Sequence, residues 1–295
     1  MRRLYSLRVR GRETVLGSRT WLMGVLNVTP DSFSDGGLHL ATDAAIRHGL
    51  DLFAAGADIV DVGGESTRPG AVAQSPQAEI RRVVPVITGL RQCSAGLLSV
   101  DTTKSDVARA ALDAGADIVN DISGLGFDPA LAGLVAERGV PIVLMHLRGS
   151  FHDIHRQPRY DDVMGEVCTE LAQAVERALR GGVARSQIVV DPGIGFAKAA
   201  PHSLEVLRRL PELASLRCPI LVGPSRKSFI GTVLERPVGE RIWGTAAAVA
   251  ACCFGGAHIV RVHDVAEMLQ VVRVCDAIAG APAAVAAPAL VELAP

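Results

Sequence analysis

The chain is short of aromatic side chains, which make up 4% of it, and it carries no excess charge of either sign, with 30 basic residues against 31 acidic ones. The first shortage argues against a base-stacking platform, and the second against a nucleic-acid or membrane-surface partner. No C-x-x-C pair occurs among the six cysteines Cys93, Cys168, Cys218, Cys252, Cys253 and Cys275. No apolar leader follows Met1, so reduced thiols packed mostly on helices of a cytoplasmic protein are expected. Gly, Pro or a charge breaks every apolar stretch well short of a membrane span. Hydrophobic residues, by contrast, are plentiful: 49% of 295 residues, enough for one large α/β barrel or two smaller domains.

Eight apolar runs, at 21–28, 58–63, 97–101, 117–122, 141–146, 187–191, 219–223 and 258–263, each end in polar, reactive side chains. Their Val, Ile and Leu content reads as strands buried on both faces. Between them lie helix candidates at 42–55, 76–92, 104–114, 129–138, 160–181, 202–214, 240–254 and 265–279. Thr42, Ser75-Pro76 and Asp128-Pro129 read as helix starts, and Gly56, Gly115 and Gly139 as stops. The sequence Ala55-Gly56-Ala57-Asp58 recurs as Ala114-Gly115-Ala116-Asp117 and, loosely, as Gly255-Gly256-Ala257-His258, each copy a helix end, a tight turn and a strand start. Eight strand-then-helix units predict a single-domain α/β protein, a (β/α)8 barrel over 21–279. Residues 1–20 form an extension, with a hairpin of 4–10 and 13–16 around Gly11 that could plug the closed end. Residues 280–295 read as an Ala- and Pro-rich tail.

Asp61, Asp101, Asp121 and Asp191 each lie at or just past an apolar run. One such Asp is as readily a helix cap or a loop-closing acceptor. Four on one rim suit a ligand with paired N–H donors, such as an aminopyrimidinone edge, because barrel sites form at strand C-termini. No His or Cys cluster offers a transition-metal shell. His152, Asp153 and His155 have only His146 in support and read as a solvated loop, and Cys252-Cys253 as helix packing. Cationic groups gather in Gly223-Pro224-Ser225-Arg226-Lys227-Ser228, at a strand-to-helix junction that favours an anion but lacks the Walker spacing. Arg261 and His263, two apart on the last strand, join Asn27 on the first in a plausible diphosphate pocket, or else form a salt-bridged rim. Loops 30–37, ahead of a Gly-Gly hinge, and 65–70 stand above the same mouth and suit a lid, or are ordinary surface turns.

Seven segments in order give this chain more than a fold. MGVLNVTPDSFSDGG from Met23, DVGGESTRPGA from Asp61, SVDTTK from Ser99, NDISG from Asn120, DPGIGFAK from Asp191, GPSRKSFIG from Gly223 and RVHDV from Arg261 resemble the bacterial dihydropteroate synthases of the folate pathway. The match runs from Leu22 to Ala279. It implies a pterin-binding (β/α)8 enzyme that joins 6-hydroxymethyl-7,8-dihydropterin diphosphate to 4-aminobenzoate with help from Mg²⁺, a homodimer through helices away from the mouth, and sulfonamides as possible competitors.

Carried over by that resemblance, Asp101, Asn120, Asp191 and Lys227 hold the pterin ring, with Ile122 and Met145 on its faces. Asn27, Arg261 and His263 hold the diphosphate, with Asn27 also near Mg²⁺. Asp35 stabilises the pterin-methyl cation. Phe33, Thr67, Arg68, Pro69, Phe196, Lys227 and Ser228 shape the aminobenzoate pocket. The amine is a weak nucleophile, so assistance to the departing diphosphate in an SN1-like transfer outweighs any general base. Two other readings compete: a non-catalytic pterin-binding paralogue, and a methyltetrahydrofolate–corrinoid methyltransferase, for which no D-x-H-x-x-G signature is present.

Overall fold

The computed structural model describes residues 2–29, 38–66, 73–149 and 159–280. The β-branched and leucine-rich runs pair as β3 (Trp21–Asn27), β4 (Ile59–Gly63), β5 (Leu97–Asp101), β6 (Ile118–Asp121), β7 (Ile142–Met145), β8 (Ile188–Asp191), β9 (Leu221–Val222) and β10 (Ile259–Val262). Every neighbouring pair is parallel, in the order β8-β7-β6-β5-β4-β3-β10-β9. A parallel bridge between Val190 and Ile220 joins the two outermost strands and closes the ring. Ahead of it, β1 (Tyr5–Val9) and β2 (Arg12–Leu16) form the antiparallel hairpin around Gly11, whose φ of 71° suits the turn.

The helices are α1 (Leu38–Ala54), α2 (Pro76–Cys93), α3 (Ser105–Asp113), α4 (Ala130–Arg138), α5 (Val163–Arg180), α6 (Ala200–Arg208), α7 (Ser228–Leu234), α8 (Ile242–Phe254) and α9 (Val265–Ile278). Three differ from the expectation. Helix α1 starts at Leu38, so Thr42 lies inside it. The expected 202–214 helix breaks into α6 and a 3₁₀ turn, Leu210–Leu216, because Pro211 lacks an N–H and its ring clashes with the preceding turn. Helix α7, of 7 residues, starts at the expected strand-to-helix junction of Gly223–Ser228, a stretch for which no helix range is expected. Ser75 does cap α2, its hydroxyl accepting the Ala78 amide at 3.2 Å, and Gly139 ends α4 at φ 61°. All six cysteines are free thiols, and among the described residues no helix is long and apolar enough to cross a membrane. Of the expected tail, only Gly280 lies within the described residues.

Strand parity sorts the barrel into an inside and an outside, since successive side chains point to opposite faces. Outward residues such as Leu22, Val60, Leu98, Val119, Leu144, Val190 and Val260 pack under the helices in the main core. Inward residues Trp21, Met23, Ile59, Ile118, Val143, Val189, Leu221 and Ile259 form a second apolar cluster with Leu7, Val9 and Leu16 of the hairpin. The hairpin therefore plugs the N-terminal end. One inward step further toward the C-terminal end, the same strands carry Asp61, Ser99, Asn120, Met145, Asp191 and Arg261. A barrel floored with hydrocarbon thus opens onto a polar mouth.

The recurring Gly-Ala-Asp/His segment closes the other end. Gly56, Gly115 and Gly256 have φ of 103°, 109° and 93°. Asp58 accepts the Leu22 amide at 2.9 Å, Asp117 the Leu98 amide at 2.8 Å, and His258 Nδ1 the Ile220 amide at 3.0 Å. Each side chain satisfies a backbone N–H near the start of the preceding strand, a donor that would otherwise be buried without a partner.

Candidate active site

Arg261 lies at the centre of the mouth. Its Nε donates to Asp61 Oδ2 at 2.7 Å and its terminal nitrogen to Asp101 Oδ2 at 2.9 Å. Asn120 Nδ2 donates to the same Asp61 oxygen at 2.9 Å. Asp61 is fully buried, and its other oxygen, Oδ1, has no hydrogen-bond partner. A buried carboxylate with half its acceptor capacity unused is stabilised chiefly by the Arg261 charge. Burial pushes the Asp101 pKa up, with Arg261 pulling the other way and Asp61 adding to the rise. Asp191 is raised to about 6, again by burial, although its Oδ1 accepts the Gly193 amide at 2.7 Å and Lys227 favours the charged form.

On the opposite wall, Lys227 is lowered to about 8 by burial and by the charge of Arg261, against the pull of Asp191 and Asp101. Its Nζ stands 3.8 Å from the centre of the Phe196 ring, a cation–π contact. Gly195 allows this packing, since a Cβ there would lie 3.1 Å from Lys227 Cδ. His263, just past β10, is lowered to about 4 by burial and then by Arg261 and Arg226. Its Nδ1 lies 3.0 Å from the Ser225 hydroxyl, which accepts the His263 amide at 3.2 Å. Arg226, at φ 58°, is ion-paired to Asp264.

The mouth therefore gathers Asp101, Asn120, Asp191, Lys227 and Arg261, with Ile122 and Met145 buried beside them. Asn27 ends β3, and its Oδ1 would lie 3.8 Å from a Cβ at Gly63. Ser228 opens α7 as an exposed residue. Asp121 is not part of the group. It follows Asn120 by one residue and faces the helices, where it accepts the Ser123 and Leu125 amides at 2.8 and 2.6 Å and so closes a loop. Phe33, Asp35, Thr67, Arg68 and Pro69, and the His152, Asp153 and His155 group, lie outside the described residues.

The family model described as "Pterin binding enzyme" matches residues 23–263. A dihydropteroate synthase of Synechocystis is 49% identical over 263 residues, covering 89% of this chain and 91% of that one. The chain belongs to the dihydropteroate synthase family. Two solved structures of the Xanthomonas albilineans dihydropteroate synthase agree. One, with 4-aminobenzoic acid, has a TM-score of 0.88 at 43% identity and covers 95% of this chain and 100% of that chain. The other, in complex with 7,8-dihydropteroate, has a TM-score of 0.84 at 40% identity over 94% and 100%.

Within this dihydropteroate synthase fold, the structure gives Asp61 a more specific place than the sequence did, and gives Lys198 and Glu170 places the sequence did not suggest. Asp61 was one of the rim carboxylates, yet its place as shared acceptor for Arg261 and Asn120 follows only from parity. Lys198 and Glu170 bracket the buried His146, Glu170 from the half-buried side: Lys198 Nζ is 2.8 Å from His146 Nδ1, and His146 Nε2 is 3.0 Å from Glu170 Oε2. Lys198 ends the DPGIGFAK segment, but nothing local tells which partner it meets, and Glu170 lies on a helix with no motif around it.

Proposed function

We propose that the mouth of this barrel condenses 6-hydroxymethyl-7,8-dihydropterin diphosphate with 4-aminobenzoate, giving 7,8-dihydropteroate and diphosphate, by ionisation before capture. Membership of the family makes the chain a transferase of the pterin-methyl group. The single observation that carries the residue assignment is the inward row of Asp101, Asn120 and Asp191 facing Lys227 and Arg261. Carboxylates accept the paired N–H groups of an aminopyrimidinone, and Asn120 and Lys227 can donate to its ring acceptors. Ile122 and Met145 offer apolar surface to its faces.

In the reaction the methylene C–O bond breaks with its electron pair leaving on diphosphate. The electron-rich dihydropterin carries the resulting cation, the lone pair of the amine then forms the C–N bond, and the ammonium so formed loses one proton to the departed diphosphate or to water. Arg261, His263 and Asn27 bind the diphosphate, and Asp35 stabilises the cation. Phe33, Thr67, Arg68, Pro69, Phe196, Lys227 and Ser228 form the aminobenzoate pocket, where Lys227 offers its charge to the carboxylate. Arg261 is held by Asp61 and Asp101 before substrate arrives, so its charge is pre-oriented and costs little to reorganise.

Mg²⁺ fits this donor set in one way. Among the described residues no three His, Cys, Asp or Glu gather for a metal, so the ion would be held by the Asn27 amide oxygen together with diphosphate oxygens and water. Bound there, it supplies neutralisation of the departing charge. We also read the protein as cytoplasmic, consistent with its free thiols, and as a homodimer, which the exposed Trp243, Phe254, Val274 and Ile278 on α8 and α9 support.

Steady-state turnover of both substrates, with and without a sulfonamide, tests the reading. Dihydropteroate should form only with both substrates present. Pterin binding without turnover under any condition would favour the non-catalytic paralogue.

A further inference from the structure

Lys198 is a buried amine for which the condensation, as described, has no use; burial lowers its pKa to about 7, against the pull of Asp191 and Glu170 toward the charged form. It is 5% exposed, and its ammonium meets three acceptors: His146 Nδ1 at 2.8 Å, the Gly193 carbonyl at 3.1 Å and the Phe196 carbonyl at 3.2 Å. In the protonated form three donors thus find three acceptors. His146 is 3% exposed, and burial together with the Lys198 charge lowers it to about 4, so the ring is neutral at ordinary pH. With its proton on Nε2, facing Glu170 Oε2 at 3.0 Å, the neutral ring leaves Nδ1 as the acceptor that Lys198 needs. Glu170 is fixed in turn by Arg148, whose Nε donates to it at 2.8 Å. The chain from Arg148 inward therefore aims one ammonium at two backbone carbonyls.

Those carbonyls lie in a tight turn. The Phe196 amide donates to the Gly193 carbonyl at 3.1 Å. Ala197 is left-handed at φ 47°, and the Tyr160 hydroxyl donates to its carbonyl at 3.0 Å. At Gly193 a Cβ would come within 2.2 Å of the His146 carbonyl, so the turn lies directly on the β7 end. A left-handed non-glycine residue and a close backbone contact persist only when the surroundings over-determine them. The product of this constraint is the placement of Phe196 beneath Lys227.

We infer that Lys198 is a positioning residue for the aminobenzoate half of the site, acting through the backbone of Phe196. The inference rests on the assignment of Phe196 to that pocket. The pterin half feels Lys198 mainly through its charge, which favours the ionised form of Asp191. Asp191 belongs to β8, whose pairing with β7 holds its backbone independently, whereas Phe196 lies in the turn that Lys198 ties down.

Lys198→Met keeps the length and packing of the side chain and removes all three donors. At about pH 7.5, where Asp191 stays largely ionised without the Lys198 charge, the KM for 4-aminobenzoate should rise about tenfold, with kcat and the Kd for pterin diphosphate each changing less than about threefold. A residue that served folding alone would lower the Tm and the active fraction, leaving this KM where it was. Tyr160→Phe, which removes one bond to the same turn, should raise the same KM about twofold. In a Phe196→Ala background, Lys198→Met should add little further, because both act on one group.

A folded Lys198→Met enzyme with unchanged KM for 4-aminobenzoate overturns the inference, as does strict additivity with Phe196→Ala. If Lys198→Met does not fold, an unchanged KM in Tyr160→Phe overturns it instead. Phe196→Ala with normal KM would remove the pocket assignment itself, and the inference with it, a failure read separately from the Lys198 result.

Discussion

The two ends of this barrel spend charge in opposite ways. At the N-terminal end three carboxylates, Asp58, Asp117 and Asp276, each pair with an arginine and a backbone amide. Asp117 Oδ2 accepts the Leu98 amide and the Arg91 guanidinium at 2.8 Å each, and Arg10 completes the pair. Asp58 does the same with Leu22 and Arg19, and Asp276 with Thr20 and Arg2. At the C-terminal end Asp61 keeps an unpartnered oxygen, Asp101 and Asp191 are pushed toward protonation, and Lys227 toward neutrality. Charges satisfied within the fold hold it together, and charges left short of partners are available to a ligand. The polar residues of the two ends differ little in type and widely in how far the fold satisfies them.

The largest separation between the ends should come from Asp117→Ala. It takes the counter-charge from Arg91, which keeps its bonds to the Ser94, Gly96 and Gly115 carbonyls, and leaves the Leu98 amide unpaired, so unfolding free energy should drop by roughly 2–3 kcal/mol. Turnover per folded molecule should stay at the parent value. A chemical denaturation curve paired with an active-site titration checks both halves, and a large loss of kcat would break the division of labour.

Asp191→Asn should show the reverse pattern. The carboxamide keeps the shape but turns one acceptor into a donor facing a donor, and charge-assisted bonds contribute about 1.5–3 kcal/mol. Pterin diphosphate affinity by calorimetry should therefore fall at least about tenfold. The Tm should hold or rise, because burial already disfavours the charged form. Unchanged affinity would remove Asp191 from the pterin site.

A smaller effect concerns pH. Asp191 must be ionised to bind pterin and Lys227 protonated to bind an anion, and their values in the free enzyme are about 6 and about 8. The kcat/KM should thus fall on the acid side as Asp191 and Asp101, which burial also raises, take up protons, and on the basic side as Lys227 loses its own, a bell over near-neutral pH. A profile still flat at pH 5 would argue that the mouth works with Asp191 protonated.

The smallest effect uses one histidine from each end. His258 and His263 are both lowered to about 4, chiefly by burial. As depressed groups they cost the folded state stability as pH drops from the unfolded value, 6.5, toward 4. Diphosphate should raise His263 by neutralising Arg261 and Arg226, and leave His258 where it is. NMR titration of the two rings with and without diphosphate reads the difference directly, and equal movement would contradict the placement of the anion.

Much of this was legible in the chain alone. Eight apolar runs with Gly and Pro punctuation set the barrel, and the Gly-Ala-Asp repeat marked where its strands begin, because backbone geometry and hydrophobic periodicity are local properties. The motifs that carry the family likeness brought Asp101, Asn120, Asp191, Lys227 and Arg261 to one mouth before any distance was known. Parity could also have separated Asn120 from Asp121, which differ by one position and face opposite sides. Tertiary structure alone decided the partners. That Asp61 is shared by Arg261 and Asn120, that Lys198 finds His146, and that Asp101 and Asp191 are buried deeply enough to shift depends on which strands and loops meet across the ring. Contacts between residues 200 or 52 positions apart, as in Arg261–Asp61 and Lys198–His146, leave no local pattern, because the electrostatics of a site depends on burial and neighbours that exist only once the barrel has closed.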